Sequence, residues 1–406
     1  MSSVLDIAKS INRAWKTDVI TSADLIPECE RFSMGTLSAD YALYGGLPEG
    51  KLIVYAGESG SGKSLAAVKA MSDYQDKHPD RTCIYVDAEE TLRGQLGWFV
   101  EMTGLSTAED QFVRYDCAGK SAEEIFSDLI KIQTEADNVG LIVIDSAPML
   151  LSQADIDNDL TKDNGQRASI AKSMGKFLKF MIPAIAKAGN PLIIINHTRV
   201  AGTTFTGAKI YTEPCGYALN YYPTIKVRFA TRKFTKDDKL DISASQAEDA
   251  DGFCVTFSVT KNRLGPLNRS GAKLVFRYAT GLDTLTDLIE IITKYEIAKK
   301  LSTVTWQLVK PGTDEAYIGD DGKELTFAGK GKMIDYLRNN TAFRTEYEKA
   351  VSDYINKAGK DISLIDEDDL AEITAMEKGV EKSIKNENEP IEESAEQPET
   401  DGTSED

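Results

Sequence analysis

"KLIVYAGESGSGKS", residues 51–64, passes from strand to turn to helix within a few residues. "LIVYA" is a short apolar run of the kind a buried strand needs. "GESGSGKS", Gly57 to Ser64, fits G-x-x-x-x-G-K-[ST] and opens a helical stretch that runs from Lys63 to Gln75. In that arrangement the glycines let the backbone N–H groups of Gly57, Glu58, Ser59, Gly60, Ser61 and Gly62 turn inward around phosphate oxygens. The helix N-terminus adds partial positive charge, Lys63 reaches the outer phosphates, and the Ser64 hydroxyl is a ligand for Mg²⁺. A phosphate-bearing ligand with Mg²⁺ is what this pattern predicts.

Strand and helix alternate outward from this loop. "TCIYVDAE" precedes a helix ending near Gly104, "QFVRYD" precedes one from Ser121 to Ala136, and "GLIVIDS" leads through a polar loop to a helix over 167–188 and then "PLIIIN". Short strands apolar on both faces, separated by helices, predict an α/β fold with a mostly parallel twisted sheet covered on both sides. After residue 211, "TIKVRFATRKF", "GFCVTFSVTK" and "AKLVFRYA" read as an antiparallel extension, and "TLTDLIEIITKYEIAKK" as a helix near 284–300. A small mixed region follows to about residue 360. At the other end, Val4, Ile7, Ala8, Ile11 and Trp15 share one face of a predicted amphipathic helix.

Asp145 closes "GLIVID", a buried strand ending in a carboxylate, which suits the acid that holds the water shell of magnesium. Hydrolysis also needs a carboxylate to orient and deprotonate water. "VDAEE" offers Asp87, Glu89 and Glu90; Glu89 is the choice, with Glu90 a solvated helix-start acid as the bland alternative. "PLIIIN" ends at Asn196–His197, one of only two histidines in the chain, and a polar, glycine-dotted stretch follows it.

The chain has 406 residues, no apolar run near the roughly 20 residues needed to span a bilayer, and no signal-like apolar N-terminus. Its five cysteines, Cys29, Cys83, Cys117, Cys215 and Cys254, form no CxxC pair. These features predict a cytoplasmic protein with no membrane partner. Net charge is −18, but residues 361–406 hold 17 Asp or Glu against 3 Lys, so the body is nearly neutral. "NENEPIEESAEQPETDGTSED" lacks aromatics and nearly all apolar residues, which predicts an acidic disordered tail. Such a tail either solubilises the chain or competes electrostatically for a basic site.

The order of these pieces resembles the RecA-type recombinases. "SMGTLSADYALYGGLPEGKLIVYAGESGSGKS", "YVDAEETL", "LIVIDSAPML", "NPLIIINHTR", "PCGYALNYY" and "VTKNRLGP" follow one another as in that family, over roughly residues 30–290. Asn196–His197 and the acidic C-terminal end look most like the UvsX-type recombinases of large tailed phages; bacterial RecA has glutamine where His197 stands. The resemblance implies a RecA-like P-loop ATPase core and a DNA-dependent ATPase that forms helical filaments on single-stranded DNA and exchanges strands with duplex DNA. Recombination mediators or ssDNA-binding proteins are implied as partners, and in a phage the host cytoplasm as the location.

Residue by residue, the resemblance gives Lys63 and Ser64 the phosphate and Mg²⁺, Glu89 the water, Asp145 the Walker-B role and His197 that of an ATP sensor. Phe99 would stack on adenine, with Trp98 the alternative. Lys261 and Arg263 would reach the ATP of the adjacent subunit; the family has lysine at both positions, and a guanidinium at 263 supports the same task. Segments 152–166 and 198–216 match the family's two DNA-binding loops. The first carries Lys162 and Arg167 among many acids, and the second Arg199, Lys209 and Tyr211 among glycines. His197 would then join nucleotide state to the second loop, and an imidazole there makes the coupling sensitive to pH near its own pKa. The expected organisation is a docking segment (1–30), the ATPase core (31–290), a small C-terminal domain (291–360) and the tail (361–406). Two other classes share such a core: a ring-forming helicase motor, and a regulatory ATPase that binds no DNA.

Overall fold

A computed structural model describes residues 3–358 apart from 17–18, 23, 25, 27, 158–166, 204–208, 233–251, 268 and 270. The acidic tail expected at 361–406 therefore lies outside the described residues.

The chain opens with α1 (Val4–Trp15), started by a capping box in which Ser3 and Asp6 satisfy each other's backbone N–H groups. Strand β1 (Arg31–Phe32), helix α2 (Leu37–Ala42) and strand β2 (Leu47–Pro48) make up the lead-in to the phosphate loop. The alternation expected from the sequence follows as β3 (Leu52–Gly57), α3 (Lys63–Lys77), β4 (Thr82–Asp87), α4 (Leu92–Thr103), β5 (Phe112–Asp116), α5 (Ala122–Glu135) and β6 (Val139–Asp145). After a 3₁₀ turn at Ala147–Met149 come α6 (Gln153–Asp157), α7 (Arg167–Ala188) and β7 (Leu192–His197). The stretch after His197 is not an irregular loop in its described part. It forms a hairpin of β8 (Arg199–Thr203) and β9 (Lys209–Thr212). The short α8 (Ala218–Tyr221) then leads to β10 (Ile225–Arg232), β11 (Gly252–Asn262), β12 (Ala272–Arg277) and β13 (Gly281–Leu282).

Nine of these strands form one sheet in the order β13-β12-β11-β10-β3-β7-β6-β4-β5. Strands β10 through β5 in that order are parallel, and β11, β12 and β13 extend the sheet antiparallel. Alternate residues of the central strands serve two cores. Ile53, Tyr55, Tyr85, Val143 and Ile193 pack under α3 and α4, while Leu52, Val54, Val86, Ile144 and Ile194 pack under α5 and α7. With helices on both faces neither set meets water, which is why these strands read as continuous apolar runs. Each such side chain contributes roughly 1.5–3 kcal/mol by leaving water.

The expected helix near 284–300 is shorter than its sequence suggests. Helix α9 (Thr284–Lys294) stops at Tyr295, Glu296 adopts a left-handed φ of 52°, and β14 (Ala298–Lys300) follows. Turning the chain there buries Ile297 and Ala298. Together with β15 (Thr305–Leu308), β16 (Thr326–Ala328), α10 (Lys330–Asn339) and α11 (Thr341–Ala358), these elements close a third core around Leu288, Leu308, Met333 and Tyr347. The lead-in stitches this core to the sheet. Ser38 N donates to Asp287 Oδ2 (3.0 Å), Thr36 Oγ1 donates to the Lys273 carbonyl (3.0 Å), and the Arg269 guanidinium lies 3.7 Å from the Tyr44 ring.

Candidate nucleotide and nucleic-acid sites

Parallel register brings the C-terminal ends of the central strands to one edge. Gly57 lies across from His197 and Asp87 across from Asp145. The phosphate loop rises from this edge. A Cβ on Gly57 would sit 2.6 Å from Ser61 Oγ and 2.7 Å from the Phe229 carbonyl, and Gly62 combines a φ of 84° with a Val255 methyl 2.5 Å from where a Cβ would be. Only glycine fits either position. Glu58, Ser59 and Gly60 form the exposed crest, while Ser61 and Lys63 are buried beneath it. Lys63 Nζ donates to the Glu58 carbonyl (2.7 Å) and to Ser61 Oγ (3.3 Å). Burial pulls its pKa down, and the carboxylates of Asp145 and Glu89 act in the opposite direction.

The three carboxylates of "VDAEE" separate cleanly. Asp87 is fully buried, accepts from the Thr91 (2.8 Å) and Leu92 (3.3 Å) N–H groups, and pairs with Arg114 Nε at 2.8 Å. Glu90, at a φ of 55°, pairs with Arg114 Nη2 at 2.9 Å on the outer side. Glu89 alone of the three lines the cleft above the loop. His197 Nε2 donates to Glu89 Oε1 at 2.8 Å, and the Ser146 hydroxyl donates to the same oxygen. The His197 hydrogen bond is the largest influence on Glu89; with the Ser146 bond and the Lys63 charge it holds the carboxyl below its usual range, against the effect of burial.

Asp145 is 1% exposed, and burial pushes its pKa up against the opposite influence of the Tyr85 hydroxyl, which donates to its Oδ2, and of the nearby Ser64 hydroxyl. Its Oδ1 has no hydrogen-bond partner. A buried, unpartnered carboxylate oxygen beside the Ser64 hydroxyl and Lys63 suits the water shell of a hard divalent cation, so the donor set fits Mg²⁺.

The cleft measures about 280 Å³ and is closed on its far side by Gln95, Trp98, Phe99 and Phe253. Both aromatics weighed from the sequence line this cleft. Phe99 is 2% exposed and enclosed in the core under α3, whereas Trp98 is only partly buried and lies nearly parallel to Phe253, ring centroids 6.4 Å apart. The helical turn of α4 points residue 99 toward the core and leaves 98 the more exposed of the two.

The RecA N-terminal domain family matches residues 5–283. The chain belongs to the RecA family. It is 26% identical over 325 residues to "DNA repair protein recA homolog 3, mitochondrial" of Arabidopsis thaliana, covering 79% of this chain and 67% of that protein. It is also 26% identical over 361 residues to "Protein RecA" of Francisella tularensis, covering 87% and 88% respectively.

The hairpin of this RecA-family chain hangs directly from the cleft. Thr198 N, next to His197, donates to the Gly57 carbonyl (3.0 Å), and Asn196 Nδ2 donates to the Pro214 carbonyl at the hairpin's return (3.1 Å). Arg199 begins β8 and is exposed; Lys209 and Tyr211 lie on β9, with side chains outside the described residues. Lys162 lies outside the described residues, and so does the side chain of Arg167, which opens α7.

Both predicted DNA segments end at a groove that the sequence did not single out. Helix α7 starts where the first ends and α8 where the second ends, and a Cβ on Gly216 would come within 2.7 Å of Ala171 on α7. Between them runs a groove of about 490 Å³ with Lys172, Lys176 and Lys179 on one bank and Tyr217 and Tyr221 on the other. The tyrosines are 74% and 72% exposed. Lysines at i, i+4 and i+7 usually mean only a solvated helix face; the signal was their position immediately after one loop, opposite tyrosines immediately after the other.

Lys261 and Arg263 do not meet the cleft of their own chain. Ile225 pairs with both Ile53 and Asn262, which sets residues 261–263 beside the start of β3, at the edge opposite Gly57. Lys261 Nζ donates to the Asn220 (2.7 Å) and Tyr221 (2.8 Å) carbonyls, and Arg263 to the Tyr221 carbonyl. Burial, together with the charges of Arg263 and Lys226, brings the Lys261 pKa down to about 8. Among the described residues no helix is long and apolar enough to cross a membrane.

Proposed function

We propose that this chain is a DNA-dependent ATPase that assembles as a helical filament on single-stranded DNA and exchanges strands with homologous duplex. The observation that carries this reading is the His197–Glu89 contact of 2.8 Å, which ties the carboxylate above the phosphate loop to the strand that begins the hairpin. A motor whose turnover answers to DNA needs such a junction.

In this reading the phosphate-loop N–H groups and Lys63 bind the β- and γ-phosphates, and Trp98, the more exposed of the two aromatics, stacks on adenine. Ser64 and, through water, Asp145 would hold Mg²⁺, whose charge offsets that of the phosphate oxygens. Glu89 accepts the proton of the attacking water, and Lys63 stabilises charge that develops on the transferring phosphoryl group. The hairpin with Arg199, Lys209 and Tyr211, the segment with Lys162 and Arg167, and the Lys172–Lys176–Lys179 groove together form the DNA track, where phosphates meet lysines and bases stack on tyrosines.

Lys261 and Arg263 lie at the sheet edge opposite the phosphate loop, so head-to-tail assembly would carry them to a neighbour's nucleotide. Helix α1, with Val4, Leu5, Ile7 and Trp15 exposed, is the docking element. The organisation follows: residues 1–30 dock, 31–290 form the ATPase core, 291–360 a small C-terminal domain and 361–406 an acidic tail that competes for basic surface. Asn196–His197 and the acidic end support kinship with phage UvsX-type recombinases, with mediator or ssDNA-binding proteins as partners and the host cytoplasm as location.

Electron microscopy of the full chain with single-stranded DNA and a slowly hydrolysed ATP analogue tests the reading. Long helical filaments are expected. Closed rings would identify a helicase motor, and no DNA-bound species a regulatory ATPase.

A further inference from the structure

The turn between β4 and α4 carries Glu89 into the cleft, and one side chain from the neighbouring strand grips that turn from outside. The start of the turn is pinned by main chain: Ala88 N and Glu89 N donate to the Asp145 carbonyl at 2.7 and 3.3 Å. Its end is pinned by the Asp87 carboxylate, which accepts from Thr91 N and Leu92 N. Between them Glu90 stands at a φ of 55°, a left-handed conformation that a residue with a Cβ keeps only under constraint. The constraint on its side chain is Arg114, from β5. Arg114 Nε donates to Asp87 Oδ2 (2.8 Å), Nη2 lies 2.9 Å from Glu90 Oε2, and Nη1 lies 3.4 Å from Asp116 Oδ2. Each nitrogen of the planar fork thus faces a different carboxylate, and two of the three flank Glu89 in sequence. Asp87 is fully buried, so its charge holds the guanidinium firmly at this place.

We propose that Arg114 is a positioning residue for ATP hydrolysis: by tying Glu90 to Asp87 it sets the turn that presents Glu89 to the cleft. The proposal rests on the reading of Glu89 as the base and adds what fixes that base in place. Arg114 does not line the cleft, so its influence on the reaction passes through the turn. While the ion pair holds Glu90, the left-handed residue keeps the peptide before it, and with it Glu89, in one orientation. Without the pair the backbone at residue 90 relaxes to a commoner conformation and Glu89 swings with it. A base that takes a proton from a placed water tolerates little displacement, a shift of about 1 Å costing on the order of 10²-fold in rate. Lysine is a poor substitute here, because an ammonium lacks the planar fork that spans separate carboxylates.

The experiment uses the full-length chain, with ATP turnover measured at saturating single-stranded DNA and affinity measured separately with a fluorescent ATP analogue. Arg114→Ala is expected to lower kcat by about 10²-fold and to leave the affinity as in the parent, because the phosphate loop is untouched. Arg114→Lys should recover only part of that loss. A second pair of variants keeps the test open should Arg114→Ala fold poorly around the buried Asp87. Glu90→Ala and Glu90→Gly delete the same half-exposed carboxylate, but only glycine takes a φ of 55° freely. Glu90→Ala should therefore lower kcat by roughly tenfold, and Glu90→Gly far less. A parent-like kcat in Arg114→Ala, a loss of affinity that matches the loss of kcat, or equal rates in the two Glu90 variants would overturn the proposal. Glu89→Gln in the same assay separates the two layers. Parent-like turnover in that variant overturns Glu89 as the base, whereas its loss there beside parent-like turnover in Arg114→Ala overturns the positioning role alone.

Discussion

The nucleotide cleft and the lysine–tyrosine groove stand at opposite extremes of how a site is built. In the cleft Lys63 and Asp145 are buried, each side chain has a defined partner, and glycine is imposed at 57 and 62 by contacts under 3 Å. In the groove Lys172, Lys176 and Lys179 are exposed, and Tyr217 and Tyr221 show most of their surface. Burial strengthens electrostatics and makes any loss costly, while exposed charges act weakly and roughly additively. A single change should therefore be severe in the cleft and graded in the groove.

The largest effect is expected at Lys63. Lys63→Ala should lower kcat for ATP by about 10²- to 10³-fold, measured as phosphate release at saturating DNA. A rate within a few fold of the parent would remove the phosphate loop from the chemistry. Trp98→Ala comes next, because an aromatic–base stack is worth about 1–3 kcal/mol, or roughly 5- to 150-fold in affinity. Equilibrium binding of a fluorescent ATP analogue reads it directly. Phe99→Leu, a change inside the core, should leave that affinity nearly untouched in the folded protein. The reverse pattern would return the stacking role to Phe99.

The same contrast decides what could be read from sequence. Gly57 to Ser64 and Asp145 are contiguous motifs at strand ends, so spacing alone predicts both their elements and their shared edge. Glu89 could be named from three acids, but its separation from Asp87 and Glu90 depends on Arg114, twenty-four or more residues downstream on an edge strand. Trp98 and Phe99 differ by one helical step of about 100°, set by where α4 begins, and a boundary error of one residue exchanges them. The groove is assembled from two segments about forty residues apart, and no local pattern announces that they meet. The shortened α9 follows the same rule: a third core, remote in sequence, draws Ile297 and Ala298 out of an otherwise helical pattern.

Lys261 lies between the extremes, half sheltered by the Asn220 and Tyr221 carbonyls. With its pKa down to about 8, the amine is charged below that value and loses charge as pH rises through it, well before an ordinary lysine would. For folding the sign is opposite: the unfolded lysine binds its proton more tightly, so stability rises with pH between about 8 and the ordinary lysine value. If a charged Lys261 serves a neighbour's ATP, the DNA-stimulated ATPase should fall about tenfold between pH 7 and pH 9, and Lys261→Arg should flatten that fall. A parent profile that is flat to pH 9, or one that Lys261→Arg leaves unchanged, would break the link.

The smallest single effect belongs to the groove. For single strands, each phosphate contact contributes about 0.7 to the slope of log affinity against log salt. Lys176→Ala should therefore reduce the magnitude of that slope by about 0.7, a change of roughly 2- to 3-fold between 50 and 200 mM salt, and the triple Lys172/Lys176/Lys179 alanine variant by about 2. Fluorescence anisotropy with a labelled oligonucleotide measures it, and Lys187→Ala, in the last turn of the same helix, serves as control. Equal loss from Lys187 would make the effect one of net charge and dissolve the groove as a track. If the losses are local and the chain assembles along a strand as proposed, a modest term per subunit recurs at every subunit. In a filament such terms multiply, so a surface of weak, exposed contacts suffices where the cleft requires buried ones.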